Sequence, residues 1–229
     1  MRLALSVILG VVLLAGQATA EEKAALQTQK EKQSYSMGAD IGKRLKSQAI
    51  DIDADSFVLG LKDALSGGKT LMTEEEVRET LMALQKELME KQAERTKMLG
   101  EKNKKEAEAF LEENKKKEGV ITLPSGLQYK VIKEGTGKQP SADSTVETNY
   151  RGALIDGTEF DSSYKRGQAA TFPVNGVIKG WTEALQLMKE GAKWELYVPA
   201  DLAYGERGAG NVIGPNAALI FEVELISVK

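Results

Sequence analysis

Neither cysteine nor histidine occurs anywhere in the 229 residues. Without cysteine there is no disulfide, no thiol nucleophile and no cysteine-linked lipid anchor, so stability must come from packing. Without histidine there is no Ser-His-Asp triad, no Cys-His dyad and no His-containing zinc site. Any chemistry rests on Asp, Glu, Lys, Tyr, Ser or the shape of a pocket, with no metal and no cofactor expected. A basic excess is also missing: 31 Lys and Arg stand against 34 Asp and Glu, which argues against a nucleic-acid partner or an anionic membrane. Phosphate loops are absent too. Gly68-Lys69-Thr70 ends like one, but Asp63 stands where its first Gly is needed; Gly137-Lys138 has Ile132 there and Gln139 after it.

The longest apolar run, Leu3 to Ala15, falls short of the roughly 20 residues of a bilayer span. It follows Met1-Arg2 and precedes Ala18-Thr19-Ala20, a small-x-small cleavage signal before Glu21. Residues 1–20 therefore read as a secretory signal peptide. The mature chain is expected to be exported, in a bacterium to the periplasm, with outer-membrane association or secretion as the alternatives, and to carry about four net negative charges from its side chains once Arg2 is removed.

Proline is missing from the whole of 21–118; all five prolines lie at 124 or beyond. That first segment is rich in Lys, Glu, Gln, Ala, Leu and Met, which favours helix. The spacing predicts helices over 24–47 and 54–65 and a long one from Thr73 to about Glu118. Ser34, Gly38 and Gly42 form a small face on the first. Phe57, Val58, Leu61 and Leu65 form the apolar face of the second, with Asp53 or Asp55 as its cap and Ser66-Gly67-Gly68 as its stop. Thr73-Glu-Glu-Glu76 fits a capping box for the third. Val77, Leu81, Leu84 and Leu88 form a seam that needs a partner. Beyond Leu99 the seam fades into Lys and Glu, the pattern of a solvent-bridging helical spacer, with a disordered linker as the alternative. So few large apolar residues do not make a core alone. A homodimer through residues 21–99 is expected, with 21–72 as the helical dimerisation region and 73–118 as a linker helix.

Ten of the thirteen aromatic residues lie in 119–229. There Leu127–Lys133, Val146–Arg151, Trp194–Val198 and Phe221–Leu225 alternate with period two, the mark of a half-buried antiparallel sheet. Gly180 to Met188 has helical spacing and would cover the apolar face of that sheet. The fold class is α+β. Gly205 to Gly214 is glycine-rich and is read as a mobile surface loop.

One stretch raises a question: in Gly157-Thr-Glu-Phe-Asp-Ser-Ser-Tyr-Lys-Arg-Gly167 the bulky Phe160 stands beside the charged Asp161 among turn formers. A solvated turn has no need of the Phe, and a core rejects an unpartnered Asp. The pair is either an ordinary strand end, with Asp161 as a turn cap beside Ser162 and Ser163, or the lip of an apolar pocket.

Val146–Tyr150, Gly157–Ser163, Val177–Trp181, Ala203-Tyr204-Gly205 and Ala218–Leu225 resemble, in order and spacing, the FKBP-type peptidyl-prolyl cis-trans isomerases. Tyr35–Gly42, the long helix and Leu123–Tyr129 extend the likeness to the macrophage infectivity potentiator branch, whose helical region dimerises. The resemblance implies an antiparallel sheet wrapped around a short helix. It implies Trp181 as pocket floor, with Tyr150, Phe160, Val177, Ile178 and Phe221 as walls. Asp161 and Tyr204 would be polar groups at the rim, and Val212 and Ile213 would sit on the flanking loop. The Ile178 N–H would meet a substrate carbonyl, and Tyr150 would hold Asp161. Ala170 departs from the pattern, standing where an aromatic wall residue is often found. The implied activity is rotation about X-Pro bonds in proline-containing unfolded or exported polypeptides. A macrolide-type inhibitor could occupy the same pocket. The alternative is a dimeric holdase that docks proline without catalysis.

Overall fold

The structure is a computed structural model and describes residues 26–229; the leader expected over 1–20 lies outside them. The chain divides into two compact units between Thr73 and Glu74.

The first unit holds α1 (Gln29–Ser47) and α2 (Ala54–Ser66). A capping box that the sequence reading did not single out starts α1. The Thr28 hydroxyl accepts from the Glu31 N–H, and the Glu31 carboxylate accepts from the Thr28 N–H at 2.8 Å. Asp53 caps α2, accepting from the Ser56 N–H at 2.7 Å, and the left-handed Gly67 ends it. Neither helix has a buried residue. Tyr35, Met37, Phe57, Leu61 and Leu65 all stand exposed, and nothing lies within van der Waals reach of a Cβ placed on Gly38 or Gly42.

The second unit begins with α3 (Glu74–Asn114), 41 residues long, about 60 Å at roughly 1.5 Å per residue. Its buried residues are Gly100, Ala107 and Asn114, and Asn103, Phe110 and Leu111 are half-buried on the same helical stripe. The polar second half of the helix is thus docked rather than bridging solvent. Small Gly and Ala let the backbone approach, and side-chain amides replace apolar bulk as the fasteners. Asn114 donates to the Gln128 side chain at 2.9 Å, and Gln128 donates to the Leu111 carbonyl at 2.9 Å. Phe110 packs against Tyr197, ring centroids 6.0 Å apart.

Seven strands follow: β1 (Val120–Thr122), β2 (Gln128–Lys133), β3 (Thr145–Leu154), β4 (Glu159–Ser162), β5 (Ala170–Pro173), β6 (Lys193–Val198) and β7 (Leu219–Val228). All pairings are antiparallel, in the order β1-β2-β6-β7-β3-β4. One edge of β3 is divided between β5, over 145–148, and β4, over 151–153. The one-turn α4 (Ser163–Arg166) follows β4, and α5 (Lys179–Leu185) lies between β5 and β6. Alternation along the strands places Val146, Thr148, Tyr150, Trp194, Leu196, Val198, Phe221, Val223 and Leu225 inside. Trp181, Ala184 and Leu185 of α5 join that core. Each fully buried Leu there contributes about 1.5–3 kcal/mol. Gly180 permits the seating of α5: a Cβ there would stand 2.5 Å from a methyl of Val198.

Candidate active site

A cavity of about 430 Å³ opens where α5 meets the concave face of the sheet, lined by Tyr150, Phe160, Asp161, Phe172, Gly176, Val177, Ile178, Trp181, Tyr204 and Phe221. Trp181, 4% exposed, is brought there by the first turn of α5. Three rings stand nearly perpendicular to its indole: Tyr150 at 5.2 Å, Phe221 at 5.3 Å and Phe172 at 5.9 Å between centroids. Phe160 stands edge-on to Phe221 at 5.6 Å. Such crossed rings interlock and fix one another's orientation. Gly152 makes room for the last pair. It faces Asp161 on β4 and Phe221 on β7, and a Cβ there would stand 2.7 Å from the Phe160 ring and 2.8 Å from that of Phe221.

The stretch around Asp161 resolves into a division of labour. Ser162 caps α4, accepting from the Lys165 N–H at 3.3 Å. Ser163, fully buried, accepts from the Tyr150 N–H at 2.8 Å and ties the turn to β3. The serines satisfy the turn, so Asp161 is free to face the rim. Tyr150 donates its phenolic proton to Asp161 at 2.5 Å. Arg166, the last residue of α4, pairs with the same carboxylate and donates to the Tyr150 oxygen at 2.8 Å. Its guanidinium also lies 5.3 Å from the centre of the Tyr150 ring. Burial pushes the Asp161 pKa up, but the Tyr150 and Arg166 hydrogen bonds and the Arg166 charge outweigh it and hold the group below the usual carboxylate range. Burial, and then the hydrogen bond to Asp161, push the Tyr150 phenol up. The hydrogen bonds to Tyr150 and Asp161 raise Arg166 in turn. The rim therefore carries an ionised carboxylate, a protonated phenol and a guanidinium at neutral pH.

Eight of the residues singled out in the sequence meet in this cavity: Tyr150, Phe160, Asp161, Val177, Ile178, Trp181, Tyr204 and Phe221. Val212 and Ile213 do not line it. They lie on the flanking loop but face a second, larger groove of about 610 Å³ toward α3, with Val212 exposed and Ile213 buried in the core. Nor is that loop an open one. Ala209 and Ile213 exchange both backbone hydrogen bonds, at 2.8 and 3.1 Å, and Asn216 donates its N–H to the Gly205 carbonyl at 2.8 Å. Sequence reasoning missed Phe172, Gly176 and Arg166. Phe172 supplies an aromatic wall two residues beyond Ala170, on a strand of four residues, too short to show a period. Arg166 was visible only as part of a charged turn. The Ile178 N–H donates to no acceptor among the described residues, while the Ile178 carbonyl accepts from Trp181 and Thr182.

Two family models match the chain. Residues 30–131 match the domain amino-terminal to FKBP-type peptidyl-prolyl isomerases, and residues 136–226 match the FKBP-type peptidyl-prolyl cis-trans isomerase itself. The outer membrane protein MIP of Legionella longbeachae is 50% identical over 229 residues, covering 100% of this chain and 98% of that protein. The peptidyl-prolyl cis-trans isomerase Mip of Coxiella burnetii is 52% identical over 221 residues, 96% of each. Among solved structures, FkpA from Escherichia coli superposes with a TM-score of 0.71 at 35% identity, covering 90% of this chain and 99% of that one. An aromatic cavity floored by a tryptophan, two family models in sequence and relatives alike along nearly their whole length have one meaning: the chain belongs to the FKBP-type peptidyl-prolyl cis-trans isomerases.

Proposed function

We propose that the cavity over Trp181 holds the proline ring of an X-Pro segment while the preceding amide rotates. The activity itself, acceleration of that rotation in polypeptide substrates, comes with the family. Rotation breaks no covalent bond, so a chain without Cys or His lacks nothing it needs. The uncatalysed step takes tens of seconds because resonance gives the C–N bond double-bond character. At the twisted state that resonance is lost and the carbonyl is less charge-separated, so a dry apolar site favours it over the planar amide. A barrier lowered by about 5 kcal/mol corresponds to a rate gain of several thousand-fold. Trp181, Phe160, Phe172, Val177, Ile178 and Phe221 supply the apolar surface. The Ile178 N–H and the Tyr204 hydroxyl are the donors for substrate carbonyls. Asp161, held ionised by Tyr150 and Arg166, fixes the rim and its field.

The observation that carries this reading is the perpendicular packing of three rings around a nearly buried Trp181 beside an ionised rim. The test is isomerisation of a short X-Pro peptide by the full chain and by Trp181→Ala and Asp161→Ala. Catalysis by the wild type that falls in both folded variants supports these roles; unchanged rates in the variants would remove them.

The remaining assignments belong to the same proposal. Residues 1–20 serve as the export signal, residues 21–99 join two copies, and residues 119–229 carry the isomerase site, with periplasmic clients as substrates. The exposed apolar faces of α1, α2 and the first half of α3 support association, because soluble proteins rarely leave so much apolar surface bare. Among the described residues no helix is long and apolar enough to cross a membrane. Light scattering at the mass of a monomer would refute the homodimer.

A further inference from the structure

We propose that Gly100 and Asn103 of α3 are positioning residues for the isomerase site, acting through the loop that begins at Tyr204. This rests on the assignment of Tyr204 to the rim of the site.

The physical link is short and continuous. Asn103 donates to the Pro215 carbonyl at 2.8 Å, and Asn216 donates its side-chain amide to the Gly100 carbonyl at 3.3 Å. Contact across this junction is close. A Cβ on Gly214 would lie 2.8 Å from the Asn103 amide nitrogen and 3.3 Å from a Leu99 methyl. One on Gly100 would lie 3.3 Å from the Asn216 amide and 3.4 Å from Pro215. Neither α3 nor the loop can shift alone without losing these bonds.

Asn216 carries the link onward. Its backbone is left-handed, with φ of 57°, a conformation that Asn tolerates better than most residues. That turn aims its side chain at α3 while its N–H donates to the Gly205 carbonyl at 2.8 Å. Gly205 directly follows Tyr204 and is itself left-handed, with φ of 58°. A single residue thus holds the helix with one group and the backbone beside Tyr204 with another. Tyr204 needs such an external hold. The residue is 41% exposed, and among the described residues no hydrogen bond engages its hydroxyl. Its place over the cavity is set by the backbone on which it stands. The α3 clamp therefore determines where that hydroxyl meets a substrate carbonyl.

A merely structural role for Asn103 would lower stability and leave its catalytic effect independent of Tyr204. A positioning role makes the two effects non-additive, because Asn103 then acts only through the phenol. The test is a double-mutant cycle in the full chain, measuring kcat/KM on a short X-Pro peptide for wild type, Asn103→Ala, Tyr204→Phe and the double variant. A melting curve is taken for each. Asn103→Ala is expected to lose about fivefold in the wild-type background and almost nothing in the Tyr204→Phe background, within the range of couplings between residues of one network. Asn216→Gly repeats the test from the loop side. It deletes the amide that reaches Gly100 while keeping a residue at ease with positive φ, so it remains informative if Asn103→Ala does not fold. Losses that multiply, full activity in folded Asn103→Ala and Asn216→Gly, or full activity in Tyr204→Phe would each overturn the proposal. Trp181→Ala serves as the separate control: its loss of activity marks the site as sound even where the cycle shows no coupling.

Discussion

Along α3 one helix obeys two rules of packing. From Glu74 to Leu99 it carries Val77, Leu81, Met82, Met89 and Met98, and every one of them is exposed. From Gly100 to Asn114 it is dominated by Lys and Glu, yet here Gly100, Ala107 and Asn114 are buried. The apolar half is mostly bare, with only Leu84 and Leu88 half-buried before Leu99 meets the loop at Gly214, and the charged half is firmly docked. Hydrophobic content alone therefore does not say which half of a helix is held. Small residues admit the neighbouring backbone, and paired amides fasten it, whereas a bare apolar seam marks surface kept for something else.

The sheet unit and the exposed helical faces should accordingly respond differently to mutation. The largest effect belongs to the cavity. Trp181→Ala removes both the floor and a buried indole against which Tyr150, Phe172 and Phe221 pack. It should cost about 3–5 kcal/mol of stability, and the peptide assay should show catalysis nearly abolished. Next, Leu185→Ala on the buried face of α5 should cost about 2–5 kcal/mol in a urea titration, with a smaller loss of activity in the folded fraction. Asn114→Ala should cost about 1–3 kcal/mol by the same measurement, because the buried side-chain oxygen Oε1 of Gln128 loses its donor. By contrast, Leu81→Asp and Leu88→Asp should leave the kcat/KM of the short peptide within about twofold of wild type, as distant sites do. On the proposed homodimer, those two variants should instead shift the solution mass from dimer to monomer. If they damage the peptide assay as Trp181→Ala does, the contrast between the two regions fails.

The smallest expected effect is that of pH. Asp161 has its folded pKa lowered. Its contribution to stability is present above the unfolded value of about 3.9 and is lost as pH falls through the lower folded one. At neutrality the carboxylate is ionised throughout, so activity should be flat from about pH 5.5 to 8. A titration of kcat/KM within that window would show that another group controls the rim.

Much of this was legible in the sequence because periodicity survives in long elements. The ten-residue β3 and β7 show their buried face through Val146, Thr148 and Tyr150 and through Phe221, Val223 and Leu225. Three helices were legible from composition and spacing, with Asp53 as a readable cap. The four-residue β4 and β5 were not, since alternation needs more length than they have. Eight of the cavity residues came from the resemblance to the FKBP-type isomerases. Arg166 did not, because a charged residue in a turn has the same appearance whether it faces water or Asp161. The docked half of α3 escaped for a related reason. Gly100, Asn103, Ala107 and Asn114 recur at helical spacing, but none is large and apolar, so the stripe carries no hydrophobic signal. The hairpin that bears Val212 and Ile213 has no periodic pattern at all; its course is set by backbone hydrogen bonds.

Fastening α3 at Asn103 and again at Asn114, three turns apart, also has a mechanical consequence. Two pins fix the direction of a rod where one would leave a pivot. The stretch from Gly100, the last residue so held, back to Glu74 spans about 39 Å at roughly 1.5 Å per residue. A tilt of 10° about the pinned end would therefore carry the far tip through about 7 Å at that length. Because the pins hold the helix to the sheet, a small rotation of the sheet is carried undiminished along the rod and becomes a wide sweep at its far tip.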